Sequence, residues 1–124
     1  MRLILPVIVM ALLGASPVAA KPALVAANPA EGTVVAKLSR ISLRFNEALV
    51  AAQSGFELVM TAMPGMSDHQ PMRMNGIRPA LSADGQELSA DLPRGLPAGS
   101  YAVNWHTAGV DGQRAAGAVR FSVP

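Results

Sequence analysis

Cysteine is absent from this 124-residue chain. No disulfide can staple it, and no thiolate can hold a metal, so any soft-metal chemistry falls to thioether sulfur. Histidine is scarce: two are present, His69 and His106, at unrelated positions. A hydrolase needs a nucleophile and a base in contact, and two isolated imidazoles do not make that pair. The chain is therefore not expected to be an enzyme. Aromatic residues are 4% of the sequence. Lys37, Arg40, Arg44, Arg73, Arg78, Arg94, Arg114 and Arg120 are scattered and not interleaved with aromatics, which excludes a nucleic-acid interface. The one long apolar run, Leu3 to Leu13, is too short to anchor a mature protein across a bilayer.

That run has the organisation of a secretory leader. Arg2 precedes it, small residues follow, and Val18 and Ala20 stand where a signal peptidase reads. Cleavage is expected after Ala20. This divides the chain into a signal peptide, residues 1–20, and one domain, residues 21–124, without a membrane anchor. Beyond residue 20 the basic and acidic residues nearly balance, so the high isoelectric point reflects a small surplus, not a charged face.

The domain alternates like a β protein. Ala23 to Asn28 reads as a first strand, stopped by Pro29. Ile41, Leu43 and Phe45 share one face, with Ser42, Arg44 and Asn46 on the other. Phe56, Leu58 and Met60 continue the pattern over Gly55 to Thr61. Ala80 to Ser82 is a short strand, Asp84-Gly85 a hairpin turn, and Leu88, Ala90 and Leu92 alternate after it. Tyr101, Val103 and Trp105 form the inner face of Ser100 to Thr107. Val119, Phe121 and Val123 close the chain. Seven strands at such spacings predict an all-β, two-sheet antiparallel sandwich or small barrel.

Five of the seven methionines fall between Met60 and Met74. Pro64, Gly65 and Pro71 forbid a regular helix there, so the stretch is read as a loop. Thioether sulfur is soft and uncharged, and Cu(I) is the biological cation it suits best. An apolar methionine surface that adapts to a partner is the alternative. No leucine occurs between Met60 and Met74, and His69 lies among the sulfurs, which favours metal.

Several pieces carry a resemblance. They are N-P-A-E-G at Asn28 to Gly32, R-F-N-E at Arg44 to Glu47, L-S-A-D-G at Leu81 to Gly85, and L-P-A-G-S-Y-A-V-N-W-H at Leu96 to His106. V-D-G at Val110 to Gly112 and the methionine loop complete the set. Over essentially all of Lys21 to Val123 they resemble the CopC family of periplasmic copper-resistance proteins. The resemblance implies a seven-stranded Greek-key fold, cupredoxin-like or immunoglobulin-like, that carries copper without reacting on it. It also implies a Cu(I) site at Met60, Met63, Met66, His69 and Met72, with Met74 as a substitute. The family's Cu(II) site is matched only by Glu47 and Asp111. Lys21 replaces its N-terminal histidine and Gln113 its second histidine. Cu(II) favours nitrogen ligands in a tetragonal arrangement, and Pro22 lacks the N–H that an amine-terminal chelate needs. Cu(II) binding is thus expected to be weak or absent. His106 is assigned a structural role and Trp105 a core one. The implied function is a periplasmic Cu(I) carrier serving another copper protein or an inner-membrane copper transporter. The alternative is a non-metal β-sandwich module that docks a partner through its methionines.

Overall fold

The computed structural model describes residues 21–66 and 70–124. The expected leader, residues 1–20, and His69 lie outside the described residues. Nine strands follow in order: β1 (Leu24–Asn28), β2 (Thr33–Val34), β3 (Arg40–Phe45), β4 (Gly55–Ala62), β5 (Met72–Arg73), β6 (Ala80–Leu81), β7 (Glu87–Asp91), β8 (Gly99–Ala108) and β9 (Arg114–Val123). They form two sheets, ordered β1-β3-β7-β6 and β2-β9-β8-β4-β5. Every pairing is antiparallel except β2 with β9. The chain passes between sheets after β1, β2, β3, β5 and β7, as expected of a Greek-key sandwich. Among the described residues no helix is long and apolar enough to cross a membrane.

The alternation read in the sequence is what closes the core. Ile41, Leu43 and Phe45 of β3 and Leu88 and Ala90 of β7 line one inner face. Phe56, Leu58 and Met60 of β4, Tyr101 and Val103 of β8, and Val119 and Phe121 of β9 line the other. Tyr101 stacks on Phe121, and Trp105 meets Phe45 edge-on with ring centroids 5.1 Å apart. The indole lies across Gly117 on the neighbouring strand. A Cβ there would stand 2.6 Å from Trp105 Cζ2, so this position accepts no side chain. The Trp105 indole N–H is buried without an acceptor among the described residues.

Seven of the nine strands are those the alternation predicts. The two others, β2 and β5, are two residues long, too short to show a period. They lie at the two margins of one sheet, β2 along β9 and β5 along β4. β9 also begins earlier than expected, at Arg114, because Ala115, Ala116 and Gly117 lack a strand-like pattern but pair along β8.

β8 runs from one pole of the sandwich to the other. Its ten residues span about 30 Å at the usual rise per strand residue. The methionine segment leaves β4 beside the start of β8, and Glu47 and Asp111 lie beyond its end.

Candidate metal centre

The methionine segment is built from two limbs. The first continues β4 through Met60 to Ala62 and then turns. Pro64 and Gly65 occupy the central positions of that turn, with Gly65 at φ +78°. The Met66 N–H donates to the Met63 carbonyl at 3.0 Å. Proline followed by a glycine of positive φ is the type II signature, and it sets Met63 and Met66 at the two ends of one turn. The two residues also form an isolated bridge. The second limb returns as β5, with Met72 opposite Met60 and Arg73 opposite Val59. The Met74 N–H then donates to the Leu58 carbonyl at 2.8 Å. Arg73 reaches Glu57 at 2.8 Å, an ion pair that fastens the returning limb to β4.

The stretch read as a loop is therefore partly strand at both ends, because each limb pairs along the β4–β8 edge. This pairing divides the methionines by exposure. Met60 is 3% exposed and belongs to the core, whereas Met66 is 52% and Met72 49% exposed. Met63 and Met74 are partly buried against the core. Directly paired strand residues on one face hold their Cβ atoms about 5 Å apart. The Met60 and Met72 side chains are thus neighbours, one inside the core and one open to solvent. Such a set can offer several neutral sulfurs to one soft cation at the sheet edge. Sequence periodicity gave no sign of the returning limb, and Met74, a substitute on sequence grounds, proves to be fixed by a backbone hydrogen bond.

At the other pole the two candidate acids do converge. The Glu47 carboxylate oxygen and Asp111 Oδ1, the latter at 3.0 Å, crowd the point where a side chain on Gly109 would begin. The Gln113 N–H donates to Asp111 Oδ1 at 3.1 Å, while the Gly109 N–H donates to the Gln113 carbonyl at 2.8 Å. The Ala23 N–H donates to Asn46 Oδ1 at 2.9 Å, which brings Lys21 to the same pole. His106 is exposed on the outer face of β8, opposite Gly55 and Ala116, and joins neither group. Among the described residues no three of His, Cys, Asp and Glu stand together. Among the described residues the two carboxylates offer hard oxygens with no imidazole beside them.

A family model of the CopC domain matches residues 24–124. Copper resistance protein C of Pseudomonas syringae pv. tomato is 41% identical over 106 residues, covering 84% of this chain and 81% of that protein. The protein of the same name from Escherichia coli is 36% identical over 104 residues, covering 84% and 82%. The crystal structure of PcoC, a methionine-rich copper resistance protein from Escherichia coli, superposes with a TM-score of 0.75 at 32% identity. The match covers 85% of this chain and all of that one. CopC from Methylosinus trichosporium OB3b gives 0.64 at 27% identity, over 82% and 92%.

Proposed function

The chain belongs to the CopC domain family, and on that premise we propose that it is a periplasmic copper carrier that holds Cu(I) at the methionine edge. The observation that carries this reading is the folding of two methionine limbs onto one sheet edge, with Met63 and Met66 flanking a turn and Met72 paired to Met60. The ligand set is Met60, Met63, Met66, His69 and Met72, with Met74 as a substitute. Met66 and Met72 are the solvent-facing entry, and Met60 is the innermost member.

The chemistry follows from the donors. Neutral thioethers match a soft monovalent cation and discriminate against Zn(II) and Cu(II). They carry no proton in water, so they can be replaced one at a time by a recipient's ligands. A strand-anchored edge keeps the site formed when the metal leaves, which suits a carrier. The recipient is another copper protein or an inner-membrane copper transporter. The Glu47–Asp111 pole plays no part in this: two carboxylates without imidazole hold Cu(II) weakly. Export follows from the leader expected at residues 1–20, and the proposed role is copper resistance or homeostasis.

An anaerobic competition against a Cu(I) chelator tests the proposal. The chain should take about one Cu(I) from an equimolar chelator and leave Zn(II) and Cu(II) behind. Failure to compete removes the carrier function and leaves a methionine surface that docks a partner without metal.

A further inference from the structure

Beside the methionine edge the β5–β6 and β7–β8 connections flank a groove of about 520 Å³. Met74, Ile77, Leu92 and Leu96 supply an apolar lining, and Arg94 stands on it. A second hollow of about 330 Å³ shares Gly95 and Leu96 with the first and extends it towards Leu38, Val123 and Lys37. The combined trough is within the usual size of binding clefts. Neither hollow is lined by an acidic residue.

The charges around it are not compensated. Among the described residues the ion pairs engage Arg40, Arg44, Arg73 and Arg120 with Asp91, Asp84, Glu87, Glu57 and Glu31. Lys37, Arg78 and Arg94 enter none of them, and all three are exposed at this pole: Lys37 and Arg94 on the trough, Arg78 beside Ile77. The described acids that enter no ion pair, Glu47 and Asp111, lie at the far end of β8. An apolar floor under an uncompensated basic rim attracts an occupant that is apolar at its centre and acidic at its margins.

We propose that this trough is a docking face for a protein segment carrying apolar side chains flanked by carboxylates. On the carrier reading proposed above, that segment belongs to the protein with which copper is exchanged. The position supports this. Met74 both lines the groove and follows Met72 on the returning limb, so an occupant in the trough lies alongside the exposed methionines. The contact that recognises the partner is then adjacent to the atoms that hand over the metal. Recognition does not require copper to be bound.

The test uses the isotope-labelled chain without metal and short synthetic peptides with a Leu-Ile centre flanked by glutamates, or by lysines. The glutamate peptide should shift the amides of residues 75–77, 92 and 94–96, and the lysine peptide should not. Lys37→Glu combined with Arg94→Glu, both at exposed positions, should weaken the glutamate peptide at least about tenfold and admit the lysine peptide, as charge complementarity requires. Shifts that ignore the charge swap, shifts confined to other surfaces, or no shifts at all overturn the docking face. So does the same set of shifts produced by self-association or by phosphatidylglycerol vesicles with no peptide response. Chelator competition on the same samples separates this inference from the carrier reading. A chain that takes Cu(I) yet ignores the peptides refutes the docking face alone. One that binds the peptide in the trough but takes no Cu(I) refutes the carrier alone.

Discussion

Replacing Met63 and Met66 together by leucine separates what these residues do for the fold from what they do for the metal. Met66 is 52% exposed, so its replacement removes little from the core. Met63 is partly buried at the core's margin, and leucine returns a similar volume. A volume-conserving exchange of this kind costs less than about 1.5 kcal/mol. A domain of about 100 residues loses about 0.2 kcal/mol of stability per degree near its midpoint, so the metal-free melting temperature should fall by no more than about 7 °C. Copper acts in the opposite direction. Cu(I) that binds only the native state, at about a hundredfold excess over its Kd, adds about 2.7 kcal/mol. That raises the wild-type midpoint by roughly 13 °C on the same scale. The double variant should lose this gain almost entirely. Anaerobic melts followed by circular dichroism, with and without chelator-buffered Cu(I), measure both quantities. A variant that keeps the full gain holds copper by other atoms. A variant that falls far more than about 7 °C without copper has lost core packing, and the assignment of these side chains to an accessible edge is then wrong.

Gly117→Ala should be strongly destabilising, because its Cβ would stand 2.6 Å and 2.9 Å from two Trp105 ring carbons and Phe45 holds the ring from the other side. Overpacking of this kind costs about 1–3 kcal/mol, and a second change, Trp105→Leu, should remove much of the Gly117→Ala penalty; a neutral Gly117→Ala melt would show the indole free to move. Cu(I) affinity should decline between about pH 7.5 and about pH 5 in the wild type and stay nearly level in His69→Leu, since imidazole titrates in that interval and thioether sulfur does not; equal declines would remove His69 from the ligand set. The Asp84 carboxyl is held well below the usual carboxylate range, first by the Ser82 hydroxyl, then by Arg44, then by the Gln86 N–H. Stability from a depressed carboxylate is present above its unfolded value, about 3.9, and is lost as pH falls through the lower folded value. Asp84→Asn should therefore lower the melting temperature at neutral pH and flatten its fall in acid, and parallel acid curves for variant and wild type would contradict the assignment.

By itself the sequence determined the sandwich. The alternation of Ile41, Leu43 and Phe45, of Phe56, Leu58 and Met60, and of Tyr101, Val103 and Trp105 has a period of two, and a half-buried strand is the backbone that puts such residues on one face. It also limited the sulfur ligands to thioethers, since the chain has no cysteine and places five of its methionines between Met60 and Met74. Only the tertiary structure decided how the methionines divide. Met60 and Met72 are identical side chains, yet one is 3% and the other 49% exposed. The difference arises from register: β5 pairs with β4 at the sheet margin, and two residues are too few to announce a strand. Tertiary structure likewise brought Glu47 and Asp111 together over Gly109, through pairings between segments far apart in the chain. Among the described residues it also left Lys37, Arg78 and Arg94 outside every ion pair, because salt-bridge partners are assigned by strand neighbours that no local pattern encodes. Local periodicity records which face a residue takes; which residues meet across an edge or at a pole depends on non-local pairing, and that is settled only when the sheets close.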